Sequence, residues 1–191
     1  MILAVIGGTG VDELPGFKSG KIISVETVYG NVDLLESELD GIRFLFLPRH
    51  GKAHTASPNM INYRAQIASL KAMQVKKVVG ICAVGSLNLQ IRPGTFAILG
   101  DFIDFTKNRI TSFFDSSDAE VVHTDFTEPY CPEVTAALEK ACSNNTSGYS
   151  TNAVYVGVDG PRYESPAEVR LYASWGGDVI GMTNVPEVTL A

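Results

Sequence analysis

The chain has 191 residues, of which 45% are hydrophobic and 19% are charged, and its formal net charge is −6. This composition suffices for one substantial core, and the 15 scattered basic residues exclude an extended nucleic-acid partner, because such binding depends on clustered Lys and Arg. The three cysteines lie at no disulfide or zinc-site spacing, and no apolar run approaches the ~20 residues of a membrane span, so we expect a cytoplasmic, metal-free protein without membrane contacts.

The N-terminal part of the chain predicts a buried strand followed by antiparallel strands. Residues 2–6 are a continuous apolar run that ends in glycines, which is typical of a strand covered on both faces. Three further strand-like segments follow, at residues 21–28, 32–39 and 42–47, and the first of them partly alternates. The dipeptide Asp40-Gly41 between the last two is a favoured two-residue hairpin turn, so an antiparallel flap is predicted after the first strand.

The middle of the chain predicts a helix, short strands and a long loop. Ser57-Pro58 supplies an N-cap and a proline at the first helical position, and apolar residues at helical spacing extend this helix to about Gln74. Strands are predicted at residues 78–84, 96–99 and 102–105. Residues 107–129 are polar and irregular, and loops of that length in a compact domain are usually functional lids or partner contacts.

The C-terminal part predicts alternating helices and strands. They are a helix from 132 to about 144, a strand at 153–158, a helix from 166 to about 175, a strand at 179–180 and a helix from 186 onwards. Ser165 and Glu168 form a capping box around Pro166. The last helix carries no stop signal before Ala191, so we expect the chain to finish within an element.

Four turns rich in small residues each follow an apolar run, and we expect them to lie at one edge of the sheet. They occupy residues 7–10, 49–51, 83–86 and 182–183. Open α/β sheets collect ligand groups at the carboxyl ends of their strands, where small residues let backbone N–H groups approach an anion. Thr9, Arg49 and Thr183, together with bare amides, suit a phosphate-sized dianion.

Simpler interpretations remain open for these turn residues, and also for Tyr163 and Glu164 in the segment before the predicted helix at 166. The turn at 7–10 lacks the third glycine of a dinucleotide fingerprint, since position 13 is Glu, and a tight turn alone also requires glycine. Arg49 could form an ordinary surface ion pair, and Tyr163 could be a plain core residue. Glu164 is favoured near a helix start by the helix dipole, whatever it binds.

Five ordered segments resemble the trimeric purine nucleoside phosphorylases, with a closer likeness to the methylthioadenosine phosphorylase branch. They are residues 7–10, 48–51, 83–87, 160–164 and 181–187. The resemblance covers nearly the whole chain. It implies one α/β domain over 1–191 with a central mixed, partly barrel-like sheet flanked by helices, lacking the C-terminal strand and helix of the family. We expect a pentosyltransferase that cleaves a purine nucleoside with inorganic phosphate as co-substrate and uses no cofactor.

The resemblance also assigns roles to individual residues. It implies that phosphate is held by Thr9, Arg49, His50, the backbone N–H of Ala83, and Thr183, with Thr9, Arg49, His50 and Thr183 as the catalytic set. Met182 would pack on the sugar. His123 would reach a neighbouring subunit's pocket for the 5′ substituent, which implies a homo-oligomer, a trimer in the family. Tyr163 would stack on the purine, and Glu164 would accept a hydrogen bond from a 6-oxopurine ring N–H.

The substrate stays open between several possibilities. Glu164 favours 6-oxopurine nucleosides, whereas the branch likeness favours 5′-methylthioadenosine or 5′-methylthioinosine. Gly181, Asn184 and Cys82 depart from the commonest residues of that branch. The residue that separates 6-oxo from 6-amino bases is expected on a strand after Ala191. A catalytically silent nucleoside- or phosphate-binding subunit is the alternative from another class.

Overall fold

A computed structural model of the protein describes most of the chain, and the described part forms two compact units. The described residues are 2–8, 10–11, 13–14, 17, 20–51, 56–115, 121–144 and 148–191. The first unit comprises residues 1–83 and the last two residues, and the second comprises residues 84–189. Each unit contains one mixed β-sheet. That residues 1–191 form a single domain stays a prediction.

The first unit is built on a five-stranded sheet with one helix. Its elements are β1 (Ile2–Gly7), β2 (Lys21–Thr27), β3 (Gly30–Leu39), β4 (Ile42–Pro48), a 3₁₀ turn (Pro58–Met60), α1 (Tyr63–Ala72) and β5 (Val75–Ile81). The strand order is β2-β3-β4-β1-β5. β1 runs parallel to both β4 and β5, while β2, β3 and β4 pair antiparallel. The predicted first strand is confirmed, but full burial is limited to one face: Ala4 and Ile6 are fully buried, whereas Leu3 and Val5 on the other face are half-buried.

The hairpin turn between β3 and β4 is confirmed. Asp40 and Gly41 both have positive φ, at 51° and 78°. Two such residues are what a type I′ turn requires, and its twist matches that of the flanking strands. Phe44 and Phe46 on β4 form a buried cluster with Val11.

The prediction that Ser57 is the N-cap of the first α-helix is wrong. Ser57 precedes the 3₁₀ turn and makes no capping hydrogen bond. The N-cap of α1 is Asn62, whose side-chain oxygen accepts from the Ala65 N–H at 3.1 Å. Asn62 has a second partner, because its side-chain amide donates to the Tyr29 carbonyl at 2.7 Å. A partner 33 residues away along the chain therefore helps to fix where α1 begins.

The second unit is built on a four-stranded sheet. Its elements are β6 (Gly85–Ser86), β7 (Phe96–Asp104), α2 (Pro132–Cys142), β8 (Tyr149–Gly157), α3 (Pro166–Ser174), β9 (Val179–Gly181) and α4 (Asn184–Leu190). The strand order is β6-β9-β8-β7, with β7, β8 and β9 parallel and β6 antiparallel to β9. The described residues of the predicted irregular stretch, 107–115 and 121–129, contain neither helix nor strand.

Two predicted strand boundaries are corrected. Residues 96–104 form one strand rather than two, because a register shift at Leu99 and Asp101 accommodates Gly100 within the pairing to β8. A Cβ on Gly100 would lie 2.8 Å from the Asn152 Cα, so the close approach of these strands requires glycine. β5 begins at Val75 and ends at Ile81, three residues earlier at each end than predicted.

The predicted capping box is confirmed at the start of α3. The Ser165 hydroxyl accepts from the Glu168 N–H, and the Glu168 carboxylate accepts from the Ser165 N–H. α4 carries non-helical backbone at Val185 and Pro186, so its regular part is short. Among the described residues, no helix is long and apolar enough to cross a membrane. The mixed α/β class is confirmed, and the described strands form two open sheets rather than a closed barrel.

Candidate active site

The strands that precede three of the predicted site turns end at one edge of the first sheet. β4, β1 and β5 are neighbours, and their register pairs Gly7 with both Pro48 and Ile81. All three strands are parallel, so the residues that follow them leave the sheet on the same side. Gly8, Arg49 and Cys82 are the first of these residues, which confirms for the first unit the sheet edge predicted from the turns.

Arg49 is buried at this edge, with 2% of its surface exposed. Its backbone N–H donates to the Gly7 carbonyl at 2.9 Å, and its Nη1 donates to the Ile81 carbonyl at 2.9 Å. Gln66 on α1 donates from Nε2 to the Arg49 carbonyl at 2.8 Å. Arg49 is therefore bonded to β1, β5 and α1, and its burial excludes the ordinary surface ion pair considered above.

The backbone of the first turn lies directly beside Arg49 and His50. A Cβ built on Gly8 would be 2.9 Å from Arg49 Nη1 and 3.6 Å from His50 Nε2. His50 Nδ1 lies 2.8 Å from the Ala56 carbonyl oxygen, and because a carbonyl only accepts, Nδ1 is the donor. In the neutral ring, Nε2, on the side of Gly8, is then the nitrogen that carries no proton.

Of the other predicted site residues in the first unit, Ala83 is described by the structure and Thr9 is not. Ala83 is exposed just after β5, and Cys82 beside it is half-buried and not disulfide-bonded. Thr9 lies outside the described residues, so its predicted role as a phosphate ligand remains a prediction.

In the second unit, Thr183 lies in the turn that follows β9. Thr183 is 6% exposed, and its N–H donates to the hydroxyl of the fully buried Tyr155 at 3.1 Å. The Asn184 N–H also lies within hydrogen-bonding distance of that hydroxyl, at 3.3 Å. The Asn184 side-chain oxygen accepts from the Tyr130 hydroxyl at 2.6 Å. Met182 and Thr183 are thus carried by a turn whose backbone is tightly bonded.

Arg109, which sequence reasoning missed, binds the backbone of the turn that carries Met182 and Thr183. Its side chain is 3% exposed, and Nη1 donates to the carbonyls of Met182 and Val185 at 2.5 and 2.6 Å. Nη2 donates to the Asp159 carbonyl at 2.8 Å, and Nε lies 3.4 Å from the Asp159 carboxylate. These partners are 50 to 76 residues away along the chain, so no local motif signals them.

The predicted base-binding residues lie between β8 and α3. Tyr163 is 86% exposed, which excludes a plain core role, and Glu164 beside it is half-buried. Arg162 fixes this segment to α3, because both of its terminal nitrogens donate to the Glu168 carboxylate, at 2.8 and 2.6 Å. His123 lies in the exposed part of the irregular stretch, between exposed residues.

The chain belongs to the phosphorylase superfamily, whose family profile matches residues 2–191. It is 46% identical over 192 residues to a protein of Moorella thermoacetica named probable 6-oxopurine nucleoside phosphorylase, covering all of this chain and 74% of the relative. It is 40% identical over 195 residues to a protein of Methanothermobacter thermautotrophicus named probable S-methyl-5′-thioinosine phosphorylase, covering all of this chain and 66% of the relative.

The fold is also similar to a solved structure of the same class. Methylthioadenosine phosphorylase from Schistosoma mansoni, solved in complex with adenine, superposes with a TM-score of 0.91 at 30% identity. The match covers all of this chain and 76% of that one. The predicted family resemblance and the nucleoside phosphorylase-like fold class are therefore confirmed, and so is the enzyme class, since nucleoside phosphorylases are pentosyltransferases.

Proposed function

We propose that this protein cleaves the N-glycosidic bond of a purine nucleoside with inorganic phosphate, giving the free base and a pentose 1-phosphate. The observation that supports this most is the buried Arg49 guanidinium beside the Gly8 backbone, at the carboxyl ends of three parallel strands. A planar guanidinium binds an oxyanion through two parallel hydrogen bonds, and burial strengthens that interaction. His50 and the Ala83 N–H would complete this part of the phosphate site. The hydroxyls of Thr9 and Thr183 are proposed as further phosphate ligands on the family resemblance alone.

The reaction needs no covalent intermediate on the enzyme. As in glycoside cleavage generally, the transition state resembles an oxocarbenium ion, so a bound phosphate dianion stabilises the developing positive charge. The same phosphate then forms the bond to the anomeric carbon as the bond to the purine nitrogen breaks. Positioning and electrostatics supply most of the rate acceleration, and no further cofactor takes part.

We infer that the base is a 6-oxopurine. The Moorella relative carries that name, and Glu164 provides a carboxylate that can accept from the ring N–H of such a base. Tyr163 would stack on the purine and Met182 on the sugar. The second candidate is 5′-methylthioinosine, which the name of the Methanothermobacter relative favours and which shares the 6-oxo ring.

We further propose that the protein works as a homo-oligomer, a trimer on the family resemblance. The residues before His123 support this, because Val121 and Val122 are apolar and exposed, and exposed apolar segments commonly mark protein contacts. His123 would then line a neighbouring subunit's pocket. Light scattering of the purified protein should give three times the chain mass, and a monomer would contradict the proposal.

A role in purine salvage in the cytoplasm follows from the proposed reaction. Cys82, Cys131 and Cys142 form no disulfide, which suits a reducing compartment.

The test is an assay of base release from inosine, adenosine and their 5′-methylthio analogues, with and without phosphate. Release of free base that requires phosphate supports the enzyme, and faster release from the 6-oxo substrates supports the base assignment. Nucleoside binding without turnover would favour the silent binding subunit. Reaction that proceeds equally without phosphate would contradict phosphorolysis.

A further inference from the structure

Two buried side chains hold both ends of the peptide between Met182 and Thr183. The carbonyl oxygen of this peptide accepts from Arg109 Nη1 at 2.5 Å, and its N–H donates to the Tyr155 hydroxyl at 3.1 Å. A peptide unit is planar, so fixing its two polar ends fixes the rotation of the whole plane. The backbone angles that set where the Thr183 side chain begins are therefore determined by Arg109 and Tyr155.

The same two side chains hold the next two residues. The Asn184 N–H lies 3.3 Å from the Tyr155 hydroxyl, and the Val185 carbonyl accepts from Arg109 Nη1 at 2.6 Å. Four successive residues thus each direct one main-chain polar group at Arg109 or Tyr155. Main-chain groups of a buried turn need such partners, because a buried polar group without one costs free energy.

Arg109 also joins this turn to the segment that follows β8. Its Nη2 donates to the Asp159 carbonyl at 2.8 Å, and its Nε faces the Asp159 carboxylate at 3.4 Å. The Asp159 carboxylate in turn accepts from the Lys107 N–H at 3.0 Å. Residues after β7, β8 and β9 are therefore connected through one guanidinium, whose planar fork of donors suits several acceptors at once.

Gly181 and Tyr155 are sterically matched. A Cβ built on Gly181 would lie 2.6 Å from the Tyr155 hydroxyl oxygen and 3.0 Å from the nearest ring carbon. The hydroxyl can occupy its place between the two N–H groups because residue 181 has no side chain. Tyr155 is fully buried on β8, so its ring cannot move aside to admit one.

We propose that Arg109 and Tyr155 are positioning residues for phosphorolysis, and that they act by fixing the backbone that carries Met182 and Thr183. This inference rests on the proposed function, in which Thr183 binds phosphate and Met182 packs on the sugar. Hydrogen-bond donors contribute most to catalysis when the protein already holds them in the orientation that the transition state needs. A misplacement of a catalytic group by ~1 Å can cost about 100-fold in rate. Neither residue is proposed to touch the reacting atoms.

The first test is Tyr155→Phe, which keeps the ring and removes only the hydroxyl. We expect kcat/KM for phosphate to fall about 10-fold to 100-fold, with a raised KM for phosphate. Gly181→Ala should cause a similar loss because its Cβ displaces the hydroxyl. In the Tyr155→Phe background Gly181→Ala should add little, so the two effects should be strongly non-additive.

Tyr149→Phe is the matched control, because Tyr149 lies on the same strand and its side chain is partly exposed. Its kinetic constants should equal those of the unmodified protein. Arg109→Lys is the second variant, since it keeps the charge but loses the fork that reaches several carbonyls. If Tyr155→Phe does not fold, the phosphate kinetics of Arg109→Lys and Gly181→Ala are compared with those of the control instead.

Thermal unfolding measured in parallel separates positioning from stability. A purely structural role would lower Tm and the active fraction but leave KM for phosphate unchanged, and that result would overturn the inference. Normal phosphate kinetics in both Tyr155→Phe and Gly181→Ala would overturn it as well. If the unmodified protein releases no base with phosphate, the proposed function fails first, and the positioning role fails with it.

Discussion

The Glu168 carboxylate binds Arg162 and caps α3 at the same time. Both oxygens accept from the Arg162 guanidinium, at 2.8 and 2.6 Å, and Oε2 also accepts from the Ser165 N–H at 2.7 Å. Hydrogen bonding by Arg162, followed by that from the Ser165 backbone, lowers the pKa of the Glu168 carboxyl from 4.5 to about 2. The segment that carries Tyr163 and Glu164 is thus joined to α3 through an ionised group.

The pKa shift of Glu168 predicts a pH-dependent contribution to stability. A carboxyl whose pKa is lower in the folded state stabilises the fold above its ordinary pKa, and the contribution disappears as pH falls towards the folded value. Glu168→Gln should therefore lower Tm at pH 7, and the difference from the unmodified protein should shrink between pH 4.5 and about 2. Thermal unfolding over a pH series measures this.

Glu26→Gln is the control for that series. Glu26 is exposed on β2, so its replacement removes the same charge without affecting α3. A Tm difference for Glu168→Gln that stays constant down to pH 2 would show that the ionised carboxylate is not responsible. Both proteins should be compared at one ionic strength, because Arg162 is mostly exposed and salt screens its attraction to Glu168.

Replacing the observed N-cap of α1 should destabilise the protein, whereas replacing the predicted one should not. Asn62→Ala removes the bond to the Ala65 N–H and the bond to the Tyr29 carbonyl, and the expected loss is about 1–2 kcal/mol in the free energy of unfolding. Ser57→Ala should change it by less than about 0.5 kcal/mol, since Ser57 makes no capping bond. Denaturant unfolding of both variants measures these two changes in the free energy of unfolding.

Asn62→Asp separates the two bonds of Asn62. The aspartate oxygen can still accept from Ala65, but it cannot donate to the Tyr29 carbonyl. Stability close to that of the unmodified protein would assign the main contribution to the cap. A loss as large as that of Asn62→Ala would assign it to the Tyr29 contact instead.

Local signals in the sequence predicted local structure well. Asp40-Gly41 and the Ser165-to-Glu168 capping box involve residues within a few positions of each other, so the chemistry that fixes them is visible in a short segment. That the turns carrying Gly8 and Arg49 follow strand ends was also predictable, because apolar runs that end in small residues mark buried strands. The parallel pairing of β1 with β4 was not predicted, since residues 42–47 were expected in an antiparallel flap. Family resemblance supplied the reaction.

Long-range partners were not predictable from the sequence. Nothing around Arg109 signals that its acceptors are backbone carbonyls of Met182 and Val185. Gly100-Asp101 reads as a break, yet β7 continues because the pairing with β8 absorbs the extra residue through a register shift. Asn62 was overlooked as a cap because Ser57-Pro58 is the stronger local pattern and the Tyr29 contact is distant.

Arg49→Lys should impair the use of phosphate. Lysine keeps the positive charge but cannot present two parallel donors to an oxyanion, so kcat/KM for phosphate should fall about 100-fold in steady-state kinetics. Arg43→Lys is the matched control, because Arg43 lies on β4, the strand that Arg49 follows, and forms an exposed ion pair with Glu36. If both variants lose less than about twofold, Arg49 is not a phosphate ligand.

Glu164→Ala should change base selectivity rather than overall activity. The Glu164 carboxylate is proposed to accept from the ring N–H that a 6-oxopurine has and a 6-aminopurine lacks, and losing a hydrogen bond to a charged group costs about 10-fold to 100-fold. We expect kcat/KM for inosine to fall by that factor while the value for adenosine stays unchanged. Glu139→Ala on α2 is the control for charge. Equal losses for inosine and adenosine would indicate that Glu164 acts only near the start of α3, where the helix dipole favours a carboxylate whatever the base.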